Sequence, residues 1–285
     1  MFNKKGEQKL KIFPKISAQD FSDEVAEIIK SSEGIEIQFF EENGPVGDFD
    51  FEKEVIRKKE EFQNIKHITI HPPLNNYNIE LVLLKDKNML KNIFERLVVL
   101  SEKLDVSISF IFHTYITKKQ FEATNASDTI RELLKILEGK NVTILLENMF
   151  MLLDERWGCS PIETAKLIDH PNLGVCIDTT HIHCKSAIWQ QDFNEMIQKD
   201  LNPDDCHKYV KQIHFASQRN NDGYIEKDTH GRVHENVESV KEEIKWLREM
   251  NMFDDKNIIP EVSEDDYYSR KDQIKEINML KEAYK

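Results

Sequence analysis

The stretch of residues 142–178 decides the fold of this chain. It begins with the apolar run VTILLE (Val142–Glu147), continues with the helical pattern PIETAKLI (Pro161–Ile168) and ends with a second apolar run, LGVCID (Leu173–Asp178). Two short apolar runs separated by a helical pattern predict parallel strands joined by a crossover helix. Each run also ends in a carboxylate, Glu147 or Asp178, where the strand is predicted to stop.

The same alternation of strand and helix periodicity occurs eight times along the chain. The predicted strands are Lys9–Ile16, Gly34–Phe40, His67–His71, Val106–His113, Val142–Glu147, Leu173–Asp178, Val210–His214 and Ile258–Glu261. The predicted helices are Ala18–Lys30, Phe49–Phe62, Leu81–Leu104, Asp128–Leu137, Pro161–Ile168, Asp192–Asp200, Glu238–Met250 and Arg270–Tyr284. Eight such repeats in 285 residues predict an α/β fold: a single (β/α)8 TIM barrel, with one domain over residues 1–285.

Composition limits the classes of function. Charged residues make up 32% of the chain and the formal net charge is −13, which argues against nucleic-acid binding driven by charge alone. The N-terminal sequence MFNKKGEQKLKIF has no apolar segment of the kind found in signal peptides, and the apolar runs are too short to cross a bilayer. We therefore expect a cytoplasmic protein with no membrane partner.

Residues that bind metal ions end most of the predicted strands. Active sites of TIM barrels lie at the carboxyl ends of the strands, so these residues are expected to meet in one pocket. With the loop after the seventh strand they form a set of nine candidate ligands: His71, His113, Glu147, Asp178, His181, His214, Asp228, His230 and Glu261. Imidazole and carboxylate groups suit zinc, and they also accept Mn²⁺ or Fe²⁺. Because three or four protein groups usually satisfy one ion, nine predict two or three ions.

The alternation of side chains along a strand predicts what lies beneath this pocket. If the ligands point into the barrel, the residues two positions earlier also point inward and fill a layer below them: Leu145, Cys176, Gln212 and Ile259. Ile144 and Leu146 then face the helices.

Charge predicts the kind of ligand that the pocket attracts. Four carboxylates and three divalent ions would leave a formal charge of about +2, which favours an anionic group such as a phosphodiester. Two or more neighbouring ions also suit phosphodiester hydrolysis.

The chain resembles the endonuclease IV family, within the wider group of xylose isomerase-like TIM barrels. The similar stretches are IEIQFF, HPP, FIFH, LLEN, GVCIDTTHIH, IHFAS, DTHGRVH and IIPEVS, which occur in a consistent order over most of the chain. The most specific are GVCIDTTHIH and the Asp-x-His of DTHGRVH.

The resemblance implies a three-zinc centre that hydrolyses DNA 5′ to abasic sites, with Glu147 and Glu261 as the central catalytic residues. In this scheme His71, His113 and Glu147 hold one ion, and Glu147 bridges to a second that Asp178, His214 and Glu261 complete. His181, Asp228 and His230 hold the third. Abasic DNA would be the partner, although the acidic loop EENGPVGDFD and the loop PPLNNYN differ from the DNA-reading loops of that family.

Two other functions remain open on the sequence. One is a sugar isomerase or epimerase of the same barrel group, which resembles this chain through Glu147, Asp178, His214 and Glu261 and uses one metal ion and a glutamate pair for proton transfer. The other is a non-catalytic protein that binds a metal or a ligand on the same barrel.

Four further polar or aromatic residues have open roles. Arg219 could contact an anion or lie in solvent, and Trp157 could line the substrate or pack beneath a loop. Asn148 could orient a ligand or close a turn, and His183 could support a ligand or belong to the core or surface.

Overall fold

The structure is a computed structural model of the chain. It describes residues 10–17, 22–39, 51–72, 87–113, 126–149, 161–189, 192, 195, 207–218, 230–231, 237–262, 266 and 268–283.

Strands and helices alternate through the described part of the chain. The strands are β1 (Lys11–Ile12), β2 (Lys15–Ser17), β3 (Gly34–Gln38), β4 (His67–His71), β5 (Ser107–His113), β6 (Val142–Glu147), β7 (Leu173–Asp178), β8 (Val210–Phe215), β9 (Ser217–Gln218), β10 (His230–Gly231) and β11 (Asn257–Pro260). The helices are α1 (Asp23–Lys30), α2 (Phe51–Glu61), α3 (Lys87–Leu104), α4 (Ala126–Leu137), α5 (Pro161–Ile168), α6 (Thr179–Trp189), α7 (Val237–Glu249) and α8 (Lys271–Ala283).

The parallel strands form the predicted (β/α)8 barrel, in the order β1-β11-β8-β7-β6-β5-β4-β3-β2. The predicted first strand is split into β1 and β2, separated by Phe13 and Pro14. β1 pairs with β11 on one side, and β2 pairs with β3 on the other. Proline has no N–H to donate to a ladder, which explains a break at this point. One continuous segment thus closes the barrel at both of its edges.

The predicted alternation of side chains is confirmed. Ile111, Leu145 and Cys176 form a small buried cluster of their own. Ile144 and Leu146 belong instead to the large apolar cluster that also includes side chains of the surrounding helices. The barrel therefore has a narrow inner core and a separate outer core, as expected from strands whose successive side chains face opposite sides.

The region after β7 differs from the prediction. The helix α6 begins at Thr179, directly after the strand, so His181 and His183 lie on a helix. Asp178 explains this start, because its Oδ1 accepts a hydrogen bond from the His181 backbone N–H at 2.9 Å, as the first residue before a helix commonly does. The helix predicted over Asp192–Asp200 lies almost wholly outside the described residues.

Membrane-spanning helices are absent from the described residues, where no helix has both the length and the apolar character required.

Gly34 marks a close approach at the barrel seam. A Cβ atom placed on Gly34 would lie 2.5–2.7 Å from three ring atoms of Phe13, the residue at the break in the first strand. The phenyl ring is rigid and buried, so it cannot move aside cheaply.

We predict that Gly34→Ala lowers the free energy of unfolding by about 1–3 kcal/mol, the usual cost of overpacking a core. Urea unfolding of the metal-free protein measures this change. Phe13→Leu in the same chain should recover part of the loss, because it makes room for the added methyl group. Purely additive effects of the two substitutions would show that the contact is not the cause.

Candidate metal centre

Six of the nine predicted ligands meet at the carboxyl ends of the barrel strands. Neighbouring strands from β4 to β8 supply His71, His113, Glu147, Asp178 and His214, and Glu261 follows β11, which pairs with β8. The first five are buried and Glu261 is partly exposed, so the pocket opens to solvent beside Glu261.

Three groups of donor atoms in this pocket are close enough to hold a cation. In each group the donor atoms lie within 4.8 Å of one another. The groups are Glu147, Asp178, His214 and Glu261; His71, His113 and Glu147; and Glu36, His71, His214 and Glu261. The described ligands therefore form one connected cluster, as the strand ends predicted, with an additional member, Glu36.

His214 lies at the centre of the first group. Its Nδ1 atom is 2.7 Å from Glu261 Oε2, 3.2 Å from Glu147 Oε1 and 4.0 Å from Asp178 Oδ2. Carboxylates from three strands thus surround one ring nitrogen. This arrangement is suited to a cation that takes one oxygen from each carboxylate and the lone pair of Nδ1.

Glu147 connects the first and second groups. Its Oε1 atom faces His214, whereas its Oε2 atom is 3.3 Å from His113 Nε2 and 3.8 Å from His71 Nε2. The two oxygens of one carboxylate are thus directed to two separate sets of imidazoles, which is the geometry of a bridging ligand.

Asn148 and His181 hold the end of β7. Asn148 Oδ1 accepts a hydrogen bond from the Asp178 N–H at 2.7 Å, and its amide donates to the Asp178 carbonyl at 3.0 Å. The Asn148 carbonyl oxygen lies 2.6 Å from His181 Nδ1. His181 Nδ1 is also 3.8 Å from Asp178 Oδ2 and 3.9 Å from Glu147 Oε1, so His181 borders the pocket. Asn148 therefore orients Asp178 and His181.

Two charged residues of the pocket, Glu36 on β3 and Lys15 on β2, were missed by the sequence analysis. Glu36 Oε2 is 2.9 Å from His214 Nε2, and Lys15 Nζ is 3.1 Å from Glu36 Oε1 and 2.5 Å from Glu261 Oε1. The sequence does contain a signal for Glu36. This charged residue lies between two isoleucines in the strand GIEIQ, at a position whose side chain faces the inside of the barrel. Lys15 has no comparable signal, because a lysine near the end of a predicted strand is ordinarily exposed to solvent.

A column of polar side chains continues below the pocket. Gln212 donates to Glu36 Oε2 at 2.8 Å and accepts from the Thr69 hydroxyl at 2.8 Å. Below Thr69 lies His67, with Nε2 3.2 Å from Thr69 Oγ1 and Nδ1 2.7 Å from Ser107 Oγ. The prediction that Gln212 lies beneath His214 is confirmed, and His67 at the other end of its strand points into the barrel.

The pKa values of this pocket follow from burial and from charge. Burial would lower the pKa of His214, but Cys176 and the carboxylates of Glu36, Glu261 and Glu147 raise it well above the usual histidine value. Burial would raise the pKa of Glu36, but His214 and Lys15 lower it. In the metal-free protein His214 is therefore protonated on both nitrogens, with Nε2 directed at the ionised Glu36 and Nδ1 at Glu261, and a metal ion bound at Nδ1 would displace the proton there.

The pKa values of the other ionisable groups in the pocket shift in different directions. Burial lowers the pKa of His71 and of His113, so both imidazoles are neutral at physiological pH. Burial would also lower the pKa of Lys15, but Glu261 and Glu36 outweigh it and raise the pKa above its usual value, so Lys15 is a cation.

The donor set fits a divalent metal ion. Among the described residues of the pocket, Glu36, Glu147, Asp178 and Glu261 carry four formal negative charges, against one positive charge on Lys15 and one on the protonated His214, which leaves a formal charge of −2. Such a charge is expensive to bury without a cation. Neutral imidazoles and carboxylates are also the ligands that Zn²⁺, Mn²⁺ and Fe²⁺ prefer.

The structure describes the three other predicted ligands to different extents. His181 borders the pocket, as described above. Asp228 lies outside the described residues. The backbone of His230 pairs with Gln218, which follows β8 closely, so His230 lies near the carboxyl end of that strand; its side chain is outside the described part.

The residues with open roles are partly resolved. His183 Nε2 lies 2.8 Å from Glu243 Oε1 on α7, so it ties α6 to the next helix. Arg219 and Trp157 lie outside the described residues.

Comparison with known proteins places the fold in a family. The family described as xylose isomerase-like TIM barrel matches residues 30–283. The chain belongs to this family. A sequence search of curated proteins finds no match.

The barrel is similar to several solved structures. A D-tagatose 3-epimerase-like protein has a TM-score of 0.61 and 19% identity, covering 95% of this chain and 97% of that chain. D-psicose 3-epimerase from Clostridium cellulolyticum H10 has a TM-score of 0.55 and 16% identity, covering 95% of each chain. The IOLI protein with a bound zinc atom has a TM-score of 0.58 and 14% identity, covering 95% of this chain and 96% of that chain. At these identities the similarity establishes the fold.

We predict that Glu36→Gln weakens binding of the first divalent ion by about 10- to 100-fold, the usual effect of removing a partner that orients a ligand histidine. The neutral amide would still fill the space but would not favour the Nε2–H form of His214. Titration with Zn²⁺ or Co²⁺ against a chromophoric chelator measures this change. Glu238→Gln, on the exposed surface of α7, is the matched control and should bind metal as the unmodified chain does. Equal affinities for Glu36→Gln and the control would contradict the role of Glu36.

We predict that His67 makes the metal-free protein less stable in acid. Burial lowers the pKa of His67 to about 4, whereas the unfolded value is about 6.5. Between these two pKa values, His67 is protonated in the unfolded chain and neutral in the folded chain. The free energy of unfolding therefore falls as the pH drops from 6.5 to 4. The loss from this side chain is about 2–3 kcal/mol.

Urea unfolding at pH 7 and pH 4 tests this expectation. His67→Gln should lose less stability between the two pH values than the unmodified chain. His207→Gln, which replaces an exposed histidine, should behave like the unmodified chain. An unchanged pH dependence in His67→Gln would rule out this explanation.

Proposed function

We propose that this protein is a metal-dependent epimerase or isomerase that acts on a small sugar. One observation carries the proposal: Glu147, Asp178 and Glu261 all face the same nitrogen of His214, at the solvent-open end of the barrel. These four residues come from consecutive strands of the sheet, β6, β7, β8 and the end of β11. They could hold one divalent ion, with Zn²⁺, Mn²⁺ and Fe²⁺ as the chemically suitable candidates.

The chemistry required is movement of a proton at the carbon beside a carbonyl group. When bound, the metal ion would polarise the carbonyl oxygen and lower the barrier to removal of that proton. Glu147 and Glu261 approach the pocket from opposite sides of His214 and Asp178. In epimerisation, one carboxylate takes the proton from one face of the carbon, and the other, as a carboxylic acid, returns a proton to the opposite face. The substrate gains and loses one proton, and no other reactant is consumed.

The other residues of the pocket would position these groups. Glu36 fixes the ring of His214, and Asn148 fixes Asp178. The net negative charge of the protein also suits a neutral sugar better than it suits DNA.

The similarity to known proteins supports the same choice. A D-tagatose 3-epimerase-like protein and a D-psicose 3-epimerase share the fold over nearly the whole chain. The zinc-containing structure with the same fold supports a divalent metal as the cofactor.

The second candidate function is a phosphodiesterase of the endonuclease IV type. The observation that favours it is the bridging position of Glu147, which connects His214 to a second set formed by His71 and His113. A second ion there would give the site two neighbouring cations, which suits phosphodiester hydrolysis. In the epimerase, His71 and His113 hold no ion.

Incubation of the metal-loaded protein with D-fructose, D-tagatose and D-psicose in D₂O distinguishes the two functions. We predict conversion between ketoses with uptake of one solvent deuterium at the carbon that changes configuration, detected by chromatography and mass spectrometry. Glu261→Gln should lower turnover at least about 1,000-fold, because the amide cannot exchange the proton. Glu238→Gln on the exposed surface of α7 is the matched control and should keep full turnover.

The same preparations are tested on a DNA duplex with one abasic site. Nicking of that duplex without deuterium uptake into any ketose would favour the phosphodiesterase and contradict the epimerase. His71→Ala separates the two further, because the epimerase should keep most of its turnover and the phosphodiesterase should lose it. Failure of both reactions in metal-loaded protein would contradict both functions and leave metal or ligand binding without catalysis.

A further inference from the structure

Lys15 lies among the carboxylates of the pocket rather than at its rim. Its ammonium group is 2.5 Å from Glu261 Oε1 and 3.1 Å from Glu36 Oε1, and only 6% of its side chain is exposed. The second oxygen of each glutamate contacts His214: Glu36 Oε2 is 2.9 Å from Nε2, and Glu261 Oε2 is 2.7 Å from Nδ1. Lys15, Glu36, His214 and Glu261 therefore form a closed ring of charged contacts.

This ring overlaps one of the three donor groups. Glu36, His71, His214 and Glu261 have donor atoms within 4.8 Å of one another, so by distance alone they could hold a cation. Both carboxylates of this group already contact the ammonium group of Lys15. A metal ion bound to the same two oxygens would face the positive charge of Lys15 at about 3 Å, where repulsion in a buried site is severe.

We propose that Lys15 is a built-in cation that takes the place of a metal ion between Glu36 and Glu261. It neutralises one of the four negative charges that the described carboxylates bring to the pocket. It also occupies Glu261 Oε1, which leaves Oε2 as the oxygen directed at His214 Nδ1. Lys15 thus confines metal ions to the side of the pocket formed by Glu147, Asp178 and His214, and lowers the number of ions that the barrel holds.

The number of bound ions tests this proposal directly. We would compare the full-length protein with Lys15→Met, which keeps the length of the side chain and removes its charge, and with Lys15→Arg, which keeps the charge. Each protein is saturated with Zn²⁺ or Co²⁺, freed of excess metal by gel filtration and analysed by plasma mass spectrometry. The expected result is one more ion per chain in Lys15→Met than in the unmodified protein, and an unchanged number in Lys15→Arg.

A double variant locates the additional ion. Lys15→Met combined with Glu36→Gln removes a carboxylate from the vacated position, so this double variant should hold the same number of ions as Glu36→Gln alone. Circular dichroism and thermal unfolding identify the variants that fold, and Lys15→Gln replaces Lys15→Met if the latter does not.

An equal or smaller number of ions in the folded, uncharged Lys15 variant would overturn the proposal. An additional ion that persists in the double variant would also overturn it, because that ion would lie elsewhere. The measurement counts metal and does not depend on turnover. A gain of one ion in Lys15→Met, together with no ketose conversion by the unmodified protein, would therefore contradict the epimerase and support the role of Lys15.

Discussion

The buried carboxylate of Glu36 is the constraint on which the candidate site depends. It has no exposure to water, so protein groups must supply everything that water would otherwise donate. Lys15, His214 and Gln212 do so from two strands, β2 and β8. These contacts hold His214 Nε2–H on Glu36, so Nδ1 is the nitrogen that a metal ion would take. The orientation of the whole ligand set thus follows from satisfying one negative charge in a dry barrel.

The sequence predicts the barrel well because parallel strands produce strong local patterns. Most of the strands are short apolar runs, and the carboxyl ends of these runs are marked by a polar residue of a metal-ligand type, such as His71 or Glu147. The inner layer was also predictable, since alternation places Leu145 and Cys176 beneath the ligands without any knowledge of their neighbours. Local periodicity is therefore enough to predict the fold, and the residues at the strand ends are enough to predict the six candidate ligands that the structure describes.

The residues that the sequence did not reveal share a physical cause: their roles depend on long-range pairing. Glu36 and Lys15 are ordinary charged residues in sequence, and only the closure of the barrel brings them to Glu261 and His214, more than 170 positions away. The position of His67 inside the barrel depends on long-range pairing as well, because its ring contacts Ser107 and Asn257 on two other strands. The helix α6 was missed since Asp178, predicted only as a ligand, also begins that helix.

The split first strand couples the charge balance of the pocket to the closure of the barrel. Residues 11–17 close the gap between β11 and β3, and the same segment carries Lys15. The segment therefore contributes both ladder hydrogen bonds and the ammonium group of Lys15 to the closed barrel. If the segment detaches, Glu36 and Glu261 lose their counter-charge at the moment when the two edges of the sheet lose their common neighbour. The two carboxylates then repel each other and push those edges apart. The segment therefore holds the barrel closed by charge as well as by ladder hydrogen bonds. Opening of the barrel wall is thus cooperative with loss of order in the pocket.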